Sequence, residues 1–237
     1  SLLKSTAMTS TTAPEPNRLP ADRAIPISRI GLIAMDMDST AITIECIDEI
    51  ADFAGVKAEV SAITEAAMRG ELDFQASLRR RVACLEGLST KVLAEVYTER
   101  LRPSPGLADL MQHAHQNGVK TMLVSGGFTY FTEQMRQRFG YTWTRANTLG
   151  EHDGRLTGKV CGAIVDSAEK ERLLRFYAST LPANRTATVA LGDGANDLPM
   201  LKAATLGVAY HAKPTVRAQV PVAINTGGLD TLLTLIA

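Results

Sequence analysis

Two aspartates separated by one methionine, Asp36 and Asp38, follow an apolar stretch and precede Ser39 and Thr40. Side chains at i and i+2 of an extended chain point to the same face, so both carboxylates should emerge together where a strand becomes a loop. Two carboxylates this close repel each other unless a cation or a proton lies between them, and Mg²⁺ prefers such oxygen ligands. One aspartate could then attack phosphorus while the other transfers protons, although helix capping or a turn would also explain the pattern.

Two glycine-containing segments follow other apolar stretches and suit the binding of an anion. After residues 119–124 come Ser125, Gly126 and a second glycine, where backbone N–H groups can approach a phosphate and a helix N-terminus follows. A plain strand-to-helix turn is the alternative interpretation. Residues 192–197, with the sequence GDGAND, place Asp193 and Asp197 four positions apart. Asp197 could be a helix N-cap, a support for a metal ligand, or both.

Lys170 lies in the first turn of a predicted helix. A lysine is unfavourable near the positive end of a helix unless it reaches an anion. An ordinary solvated surface lysine is the competing explanation, so this residue is only a candidate phosphate ligand.

The elements that must position these groups alternate between strand and helix. Such alternation predicts a Rossmann-like α/β fold, in which helices cover both faces of a parallel sheet. Ligands bind such sheets beyond the carboxyl ends of the strands, where the candidate residues fall. The predicted strands are 30–35, 119–124, 186–191, 206–209 and 222–225, the predicted helices are 107–116, 128–139, 168–181 and 197–204, and a hairpin is expected around 152–154.

A second region, from about residue 45 to 101, has helical spacing of apolar residues and no strand signal. It predicts a small helical cap domain inserted after the first strand. The resulting division is a core of residues 30–44 and 107–237, and a cap of residues 45–106. Residues 1–29, rich in Ser, Thr, Ala and Pro, have the composition of a tail or linker.

Composition excludes several classes of protein. The 237 residues carry 25 acidic and 25 basic side chains, whereas proteins that bind nucleic acid or membrane surfaces usually have a basic excess. No apolar run reaches the roughly 20 residues needed to span a bilayer. Three scattered cysteines and four scattered histidines suggest neither a disulfide framework nor a zinc site, and favour a cytoplasmic location. No glycine-rich nucleotide-binding motif is present.

The motifs DMDST, SGG, an isolated lysine and GDGAND, in that order, resemble the haloacid dehalogenase superfamily of phosphotransferases. Longer segments are similar to the phosphoserine phosphatase family within it, and the resemblance spans about residues 30–225. These segments are ECIDEIAD at 45–52, AMRGELDF at 67–74, SLRRRV at 77–82, LVSGGFTYF at 123–131 and GVAYHAKP at 207–214.

The resemblance implies a Mg²⁺-dependent hydrolase that converts O-phospho-L-serine to L-serine and phosphate in serine biosynthesis. Asp36 would be the nucleophile that forms an aspartyl-phosphate, and Asp38 the acid and base. The Asp36 carboxylate, the Asp38 main-chain carbonyl and Asp193 would hold the metal, with support from Asp197. The phosphoryl oxygens would be bound by Ser125, Gly126, Lys170 and Asn196.

The family pattern also assigns the rest of the substrate. Glu45 would meet its ammonium group and Arg81 its carboxylate, chemistry that suits both side chains. Met68, Gly70 and Phe74 would complete the cap side of the pocket. By residue type alone Arg81 is indistinguishable from Arg79 and Arg80, which are ordinary surface charges in this interpretation.

Three alternatives stay open at this point. The substrate could be another small phosphorylated amino acid or metabolite, the acceptor could be a molecule other than water, or the chain could be a non-catalytic phosphate-binding module. The presence of all five charged motif residues disfavours the last. Many bacterial members carry a regulatory N-terminal domain, whereas about thirty residues precede the first strand here, so regulation by serine through such a domain is not implied.

Overall fold

The structure, a computed structural model, describes residues 13–237 and is organised around a seven-stranded sheet. The strands are β1 Ile30–Met35, β2 Lys120–Phe128, β3 Trp143–His152, β4 Arg155–Cys161, β5 Ala187–Gly192, β6 Leu206–Tyr210 and β7 Val222–Ile224. Their spatial order is β4-β3-β2-β1-β5-β6-β7, and every neighbouring pair is parallel except β3 with β4. The predicted α/β fold is therefore confirmed.

Strand β1 lies at the centre of the sheet and supplies side chains to both of its faces. Ile33 and Met35 belong to one apolar cluster, and Leu32 and Ala34 belong to the other. All four are completely buried. This alternation explains why β1 is apolar without interruption, because a strand covered by helices on both sides has no solvent-facing position.

The helices that cover the core are short. They are α5 Leu107–Gln116, α6 Thr129–Phe139, α7 Ser167–Ala178, α8 Leu198–Ala203 and α9 Pro214–Arg217. Within residues 13–237, no helix combines the length and the apolar character needed to cross a membrane.

Strands β5, β6 and β7 lie within one residue of their sequence-based bounds, whereas β2 and β3 differ more. Strand β2 was predicted to end at Val124 but continues to Phe128, with an irregularity opposite β3 where the glycines lie. For strand β3 the sequence predicted only the hairpin turn at its end. The strand itself was not predicted, because its mixed sequence lacks a clear apolar alternation. The hairpin itself is present, with Asp153 and Gly154 both at positive φ between β3 and β4.

Four further helices lie between β1 and β2 in the chain: α1 Cys46–Ala54, α2 Lys57–Met68, α3 Phe74–Ala83 and α4 Lys91–Glu99. The two segments that join them to the sheet run side by side. Thr43 donates its N–H to the Arg102 carbonyl, and Ser104 donates to the Ala41 carbonyl. Entry to and exit from the helical segment are therefore adjacent, as an insertion after one strand requires.

Residues 13–29 lie against the far edge of the sheet. Arg18 exchanges two backbone hydrogen bonds with Ala223 of β7, and Asn17 Oδ1 accepts the N–H groups of Asn225 and Thr226. Ile25 and Ile27 pack on the apolar core. The composition of a tail did not indicate this packing, because it depends on a few individual side chains, such as that of Arg18, which donates to the Arg217, Val220 and Pro221 carbonyls. Residues 1–12 of the predicted tail lie outside the described residues.

Candidate active site

The candidate residues converge where the carboxyl ends of three adjacent strands, β2, β1 and β5, meet. Asp36 and Asp38 follow β1, Ser125 lies near the end of β2, and Asp193 follows β5. A cavity of about 110 Å³ opens there. Its lining consists of Asp36, Asp38, Glu45, Ile47, Phe74, Leu78, Arg81, Ser125, Gly126, Gly127, Phe128, Asp193 and Asn196.

Lys170, beside this cavity, joins two buried carboxylates. Its Nζ lies 2.9 Å from Asp36 Oδ1 and 2.8 Å from Asp197 Oδ1, and the lysine is completely buried. Burial alone would lower the pKa of Lys170, but the carboxylates of Asp197 and Asp36 raise it above its ordinary value, so the ammonium form persists. The interpretation of Lys170 as a solvated surface residue is therefore wrong.

Asp36 is held through one of its two oxygens. Oδ1 accepts a hydrogen bond from Lys170 and another from the Met37 N–H, which lies 2.8 Å away. No described residue donates to Oδ2. Burial and the neighbouring Asp197 raise the pKa of Asp36, and Lys170 opposes this effect. A divalent cation among these carboxylates would further favour the ionised form.

Asp197 organises the loop after β5 and does not cap its helix through its side chain. While Oδ1 binds Lys170, Oδ2 accepts the N–H groups of Asp193 and Gly194, both at 3.1 Å. Thr40 donates its hydroxyl to Asp193 Oδ1 at 2.9 Å. Burial and the charge of Asp197 raise the pKa of Asp193 to about 6.

Asp38 lies on the side of the cavity nearest to helix α1. Its Oδ2 accepts the N–H of Cys46 at 3.3 Å, whereas its buried Oδ1 has no hydrogen-bond partner among the described residues. Burial, followed by the nearby Glu45, raises the pKa of Asp38 to about 8. This carboxyl group can therefore carry a proton near neutral pH, which a group that protonates a leaving oxygen must do.

The loop Ser125-Gly126-Gly127 needs both of its glycines. A Cβ on Gly126 would lie 3.0 Å from the Phe74 ring, and one on Gly127 would lie 3.2 Å from Asp38 Oδ2. Larger residues would therefore fill the space between the loop and the aspartates. The Gly127 N–H donates to Ser125 Oγ at 2.8 Å, which leaves the serine hydrogen free for another acceptor.

The helical side of the cavity is formed by Glu45, Phe74 and Arg81. Ser39, at a positive φ of 57°, donates its hydroxyl to Glu45 Oε1 at 2.6 Å. Among the described residues, Arg81 donates only to the Ser77 carbonyl, at 3.4 Å. Because both charged groups line the cavity with bonding capacity to spare, a small ligand with an ammonium and a carboxylate group could satisfy them.

Two predicted pocket residues do not reach the cavity. Met68 ends helix α2 with 68% of its surface exposed, and Gly70 lies in the following turn at φ 78°. Neither residue is among those that line the cavity, whereas Phe74 of α3 is. The substrate contact of Met68 and Gly70 stays a prediction. By contrast, Arg81 alone of the three consecutive arginines lines the cavity.

The carboxylates suit a metal ion. Asp36, Asp193 and Asp197 each offer an oxygen within 4.8 Å of the others. Because both Asp197 oxygens already accept hydrogen bonds, Asp36 and Asp193 are the better ligands, and Asp197 instead fixes the loop. Lys170 supplies one positive charge among these three carboxylates, so the remaining excess of negative charge favours a hard cation.

Several lining residues were missed by the sequence analysis. Ile47, Leu78 and Phe128 supply apolar walls, and each belongs to an element whose spacing indicated only a core face. Thr40 was visible within the DMDST segment but was not assigned a role. Its hydroxyl, two positions after Asp38, was the available signal.

Comparisons with known proteins agree with this geometry. Residues 33–202 match the family model of haloacid dehalogenase-like hydrolases. The chain is 54% identical over 215 residues to a phosphoserine phosphatase of Polaromonas sp., covering 89% of this chain and 91% of that protein. It is 50% identical to one of Albidiferax ferrireducens, covering 88% and 90%.

Solved structures of phosphoserine phosphatases are also similar to this chain. A probable phosphoserine phosphatase from Vibrio cholerae superposes with a TM-score of 0.82 at 44% identity, covering 91% of this chain and 67% of that one. A substrate-bound phosphoserine phosphatase complex superposes with a TM-score of 0.80 at 35% identity, covering 88% and 99%.

The fold, the converging carboxylates and the family match define the class: the chain belongs to the haloacid dehalogenase-like hydrolases. Within that class, its identity with curated relatives over most of both chains places it in the phosphoserine phosphatase family. The predicted family and the prediction of an enzyme are thereby confirmed.

Proposed function

We propose that this protein hydrolyses O-phospho-L-serine to L-serine and phosphate through an aspartyl-phosphate on Asp36. The observation that carries the proposal is that Asp36 and Asp38 share one cavity with Glu45 and Arg81. The aspartates supply the chemistry of phosphoryl transfer, while Glu45 and Arg81 match the two charged groups of an amino acid. We infer a role as the serine-forming step of serine biosynthesis.

In the first step, Asp36 attacks phosphorus, a bond forms between phosphorus and the carboxylate, and the bond to the serine oxygen breaks. Oδ2 is the attacking atom we assign, because Oδ1 already accepts two hydrogen bonds. The fixed Lys170 ammonium opposes the pKa rise that burial and Asp197 cause, and so favours the ionised form of the nucleophile. Lys170 also stabilises negative charge on the phosphoryl oxygens.

Asp38 gives its proton to the departing serine oxygen and then takes one from the water that attacks the aspartyl-phosphate. As that water bonds to phosphorus, the bond from phosphorus to the Asp36 oxygen breaks, which releases phosphate and restores the carboxylate. The two tasks require a pKa near the working pH, and that of Asp38 is raised to about 8. Ser125, Gly126 and Asn196 donate to phosphoryl oxygens from the opposite wall. Positioning by these groups supplies much of the catalysis in phosphoryl transfer.

The metal we propose is Mg²⁺, held by the Asp36 and Asp193 carboxylates and the Asp38 carbonyl. When bound, it would neutralise charge on the phosphoryl group. The oxygen-only donor set favours Mg²⁺ over softer metals. The Thr40 hydroxyl and Asp197 fix the orientation of Asp193 and its loop.

Substrate selection is assigned to the helical side. The Arg81 guanidinium can bind the substrate carboxylate through two parallel hydrogen bonds, and Glu45 can accept from the ammonium group. Phe74 covers the phosphate loop at Gly126. Another small phosphorylated amino acid, or transfer to an acceptor other than water, uses the same residues and is the second candidate.

Two further expectations belong to the same proposal. The three cysteines are free in the structure, in keeping with a reducing cytoplasm. The ligand is a small molecule, since the cavity is small and the chain has no basic excess for nucleic acid.

The test is phosphate release from a panel of phosphomonoesters with and without Mg²⁺, for the natural protein and Asp36→Asn. We expect phosphoserine to be the preferred substrate, activity to require Mg²⁺, and the variant to lose at least about 10⁴-fold in kcat. Preference for an ester without an amino-acid group would refute the assigned substrate. Activity that survives in Asp36→Asn would refute the mechanism.

A further inference from the structure

Asn147, on β3, is a buried polar residue outside the cavity lining, with 1% of its surface exposed. Both ends of its amide are used. Nδ2 donates to the Gly126 carbonyl at 2.8 Å, and Oδ1 accepts the Val165 N–H at 2.8 Å. A buried amide with both bonds made at this distance holds its partners firmly, because losing either bond leaves a buried group unsatisfied.

The need for this amide follows from the irregular pairing of β2 with β3. Strand β2 advances from Val124 to Phe128 while β3 advances only from Arg145 to Asn147. The residues between, Ser125 to Gly127, therefore leave the regular ladder of backbone hydrogen bonds. The Asn147 side chain replaces a missing ladder donor for the Gly126 carbonyl.

Asn147 is connected to Ser125 through a single peptide group. The peptide between Gly126 and Gly127 has its carbonyl held by Asn147 and its N–H held by Ser125 Oγ at 2.8 Å. Two consecutive glycines would otherwise let this peptide rotate freely. Since Ser125 Oγ accepts this N–H, its own hydrogen must point to another acceptor.

The second bond ties the loop to the element that carries Lys170. Val165 directly precedes Asp166, whose carboxylate caps helix α7 by accepting the Glu169 N–H at 2.9 Å. Lys170 lies in the first turn of that helix. One amide therefore links the phosphate loop to the start of the helix that presents the buried ammonium.

We propose that Asn147 is a positioning residue for phosphate binding, which acts through the Gly126–Gly127 peptide to aim the Ser125 hydroxyl into the cavity. The inference rests on the proposed function only in taking a phosphoryl group as the ligand. Asn147 itself touches neither substrate nor metal in this role.

The experiment is a double-mutant cycle of Asn147→Ala and Ser125→Ala, read as the inhibition constant of inorganic phosphate and as KM and kcat for phosphoserine. In the natural background, we expect Asn147→Ala to weaken phosphate binding by roughly 10- to 100-fold, as for a hydrogen bond to a charged group. In the Ser125→Ala background, Asn147→Ala should weaken phosphate binding by a clearly smaller factor, because the hydroxyl that Asn147 positions is already absent.

Thr132→Val is the matched control, since Thr132 is similarly buried but its hydroxyl donates to the Thr129 carbonyl of its own helix. It should leave phosphate binding unchanged. If Asn147→Ala does not fold, Asn147→Asp enters the same cycle, because it keeps the size of the side chain and the acceptor for Val165.

An equal loss of phosphate affinity in both backgrounds would overturn the positioning role. So would unchanged phosphate binding in a folded Asn147 variant. The proposed function fails separately, if the natural protein binds phosphate but does not hydrolyse phosphoserine.

Discussion

Lys170 and Asp197, on the sheet side of the cavity, are completely buried and joined at 2.8 Å, whereas Arg81 on the helical side makes one long bond to a backbone carbonyl. On the sheet side, every charged group has a fixed partner. On the helical side, the Ser39 hydroxyl is the only side-chain partner of Glu45 within residues 13–237. One side is organised before any ligand arrives, and the other has bonding capacity left for the ligand.

This difference matches the two tasks that we assign. Charge stabilisation in phosphoryl transfer depends on groups that do not have to reorganise during the reaction, so rigidity favours catalysis. Recognition of an amino acid requires polar groups that are left free to bind it. Changes on the sheet side should therefore affect all substrates, and changes on the helical side only those with an amino-acid group.

The largest effect is expected from Lys170→Met. This change leaves Asp36 and Asp197 buried without their cation, so kcat should fall by about 10²- to 10³-fold for both phosphoserine and an aryl phosphate. Breaking a buried ion pair should also destabilise the fold by about 3–5 kcal/mol, seen as a lower Tm. Lys202→Met, at an exposed lysine, is the control. A selective loss on phosphoserine would contradict the division between the two sides.

Arg81→Ala is expected to have the next largest effect, and only on one substrate. Loss of the guanidinium should lower kcat/KM for phosphoserine by about 10²-fold, because a carboxylate loses paired charge-assisted hydrogen bonds. Hydrolysis of an aryl phosphate should change little. Arg80→Ala, at the exposed neighbouring arginine, should match the natural protein on both substrates. Equal losses on the two esters would remove the evidence for amino-acid recognition by Arg81.

Thr40→Val should have a smaller effect, on metal binding. The change removes the hydroxyl that donates to Asp193 at 2.9 Å. Groups that orient a metal ligand typically contribute about 10- to 100-fold to metal affinity, and we expect about tenfold here. The measurement is the Mg²⁺ concentration at half-maximal activity, with Thr43→Val, an exposed threonine, as control. An unchanged Mg²⁺ requirement would show that Asp193 needs no such support.

The smallest effect is expected at a surface ion pair away from the cavity. Hydrogen bonds from Arg136, and then from Gln137, lower the pKa of Glu133 to about 2, and the group is solvent-exposed. The stabilising effect of the pair is fully present above the ordinary glutamate pKa and is lost as the pH falls through about 2. Glu133→Gln should leave Tm at neutral pH nearly unchanged, because exposed pairs contribute little. A large fall in Tm would show that this pair stabilises the core.

The sequence predicted the sheet side better than the helical side. Asp36, Asp38, Ser125 and Asp193 follow apolar strands, and strand ends meet at one edge of a parallel sheet by a general rule. Their convergence could therefore be expected from strand pattern alone. The helical side has no such rule, because helix spacing fixes a buried face but not the tilt of one helix against another. Only the family resemblance distinguishes Arg81, which lines the cavity, from its neighbours, and Met68, which the same resemblance assigns to the pocket, is not among the lining residues.

The supporting residues were harder to predict than the reacting ones. Asn147 lies in a strand that was missed, opposite an irregularity that no local pattern revealed. The packing of residues 13–29 depends on hydrogen bonds that single side chains, such as those of Asn17 and Arg18, make with a distant part of the chain, and no local pattern marks them. Such features arise from how distant segments meet, so they require the three-dimensional structure.

The central claim is that Asp36 carries the phosphoryl group, and trapping that group tests it most directly. The protein is mixed with phosphoserine and Mg²⁺, quenched in acid, and treated with borohydride, which reduces an acyl-phosphate to an alcohol. Peptide mass spectrometry should then find residue 36 converted to homoserine, with Asp38 unchanged and no conversion when substrate is omitted. Conversion at Asp38, or at no aspartate while phosphate is being released, would contradict the mechanism.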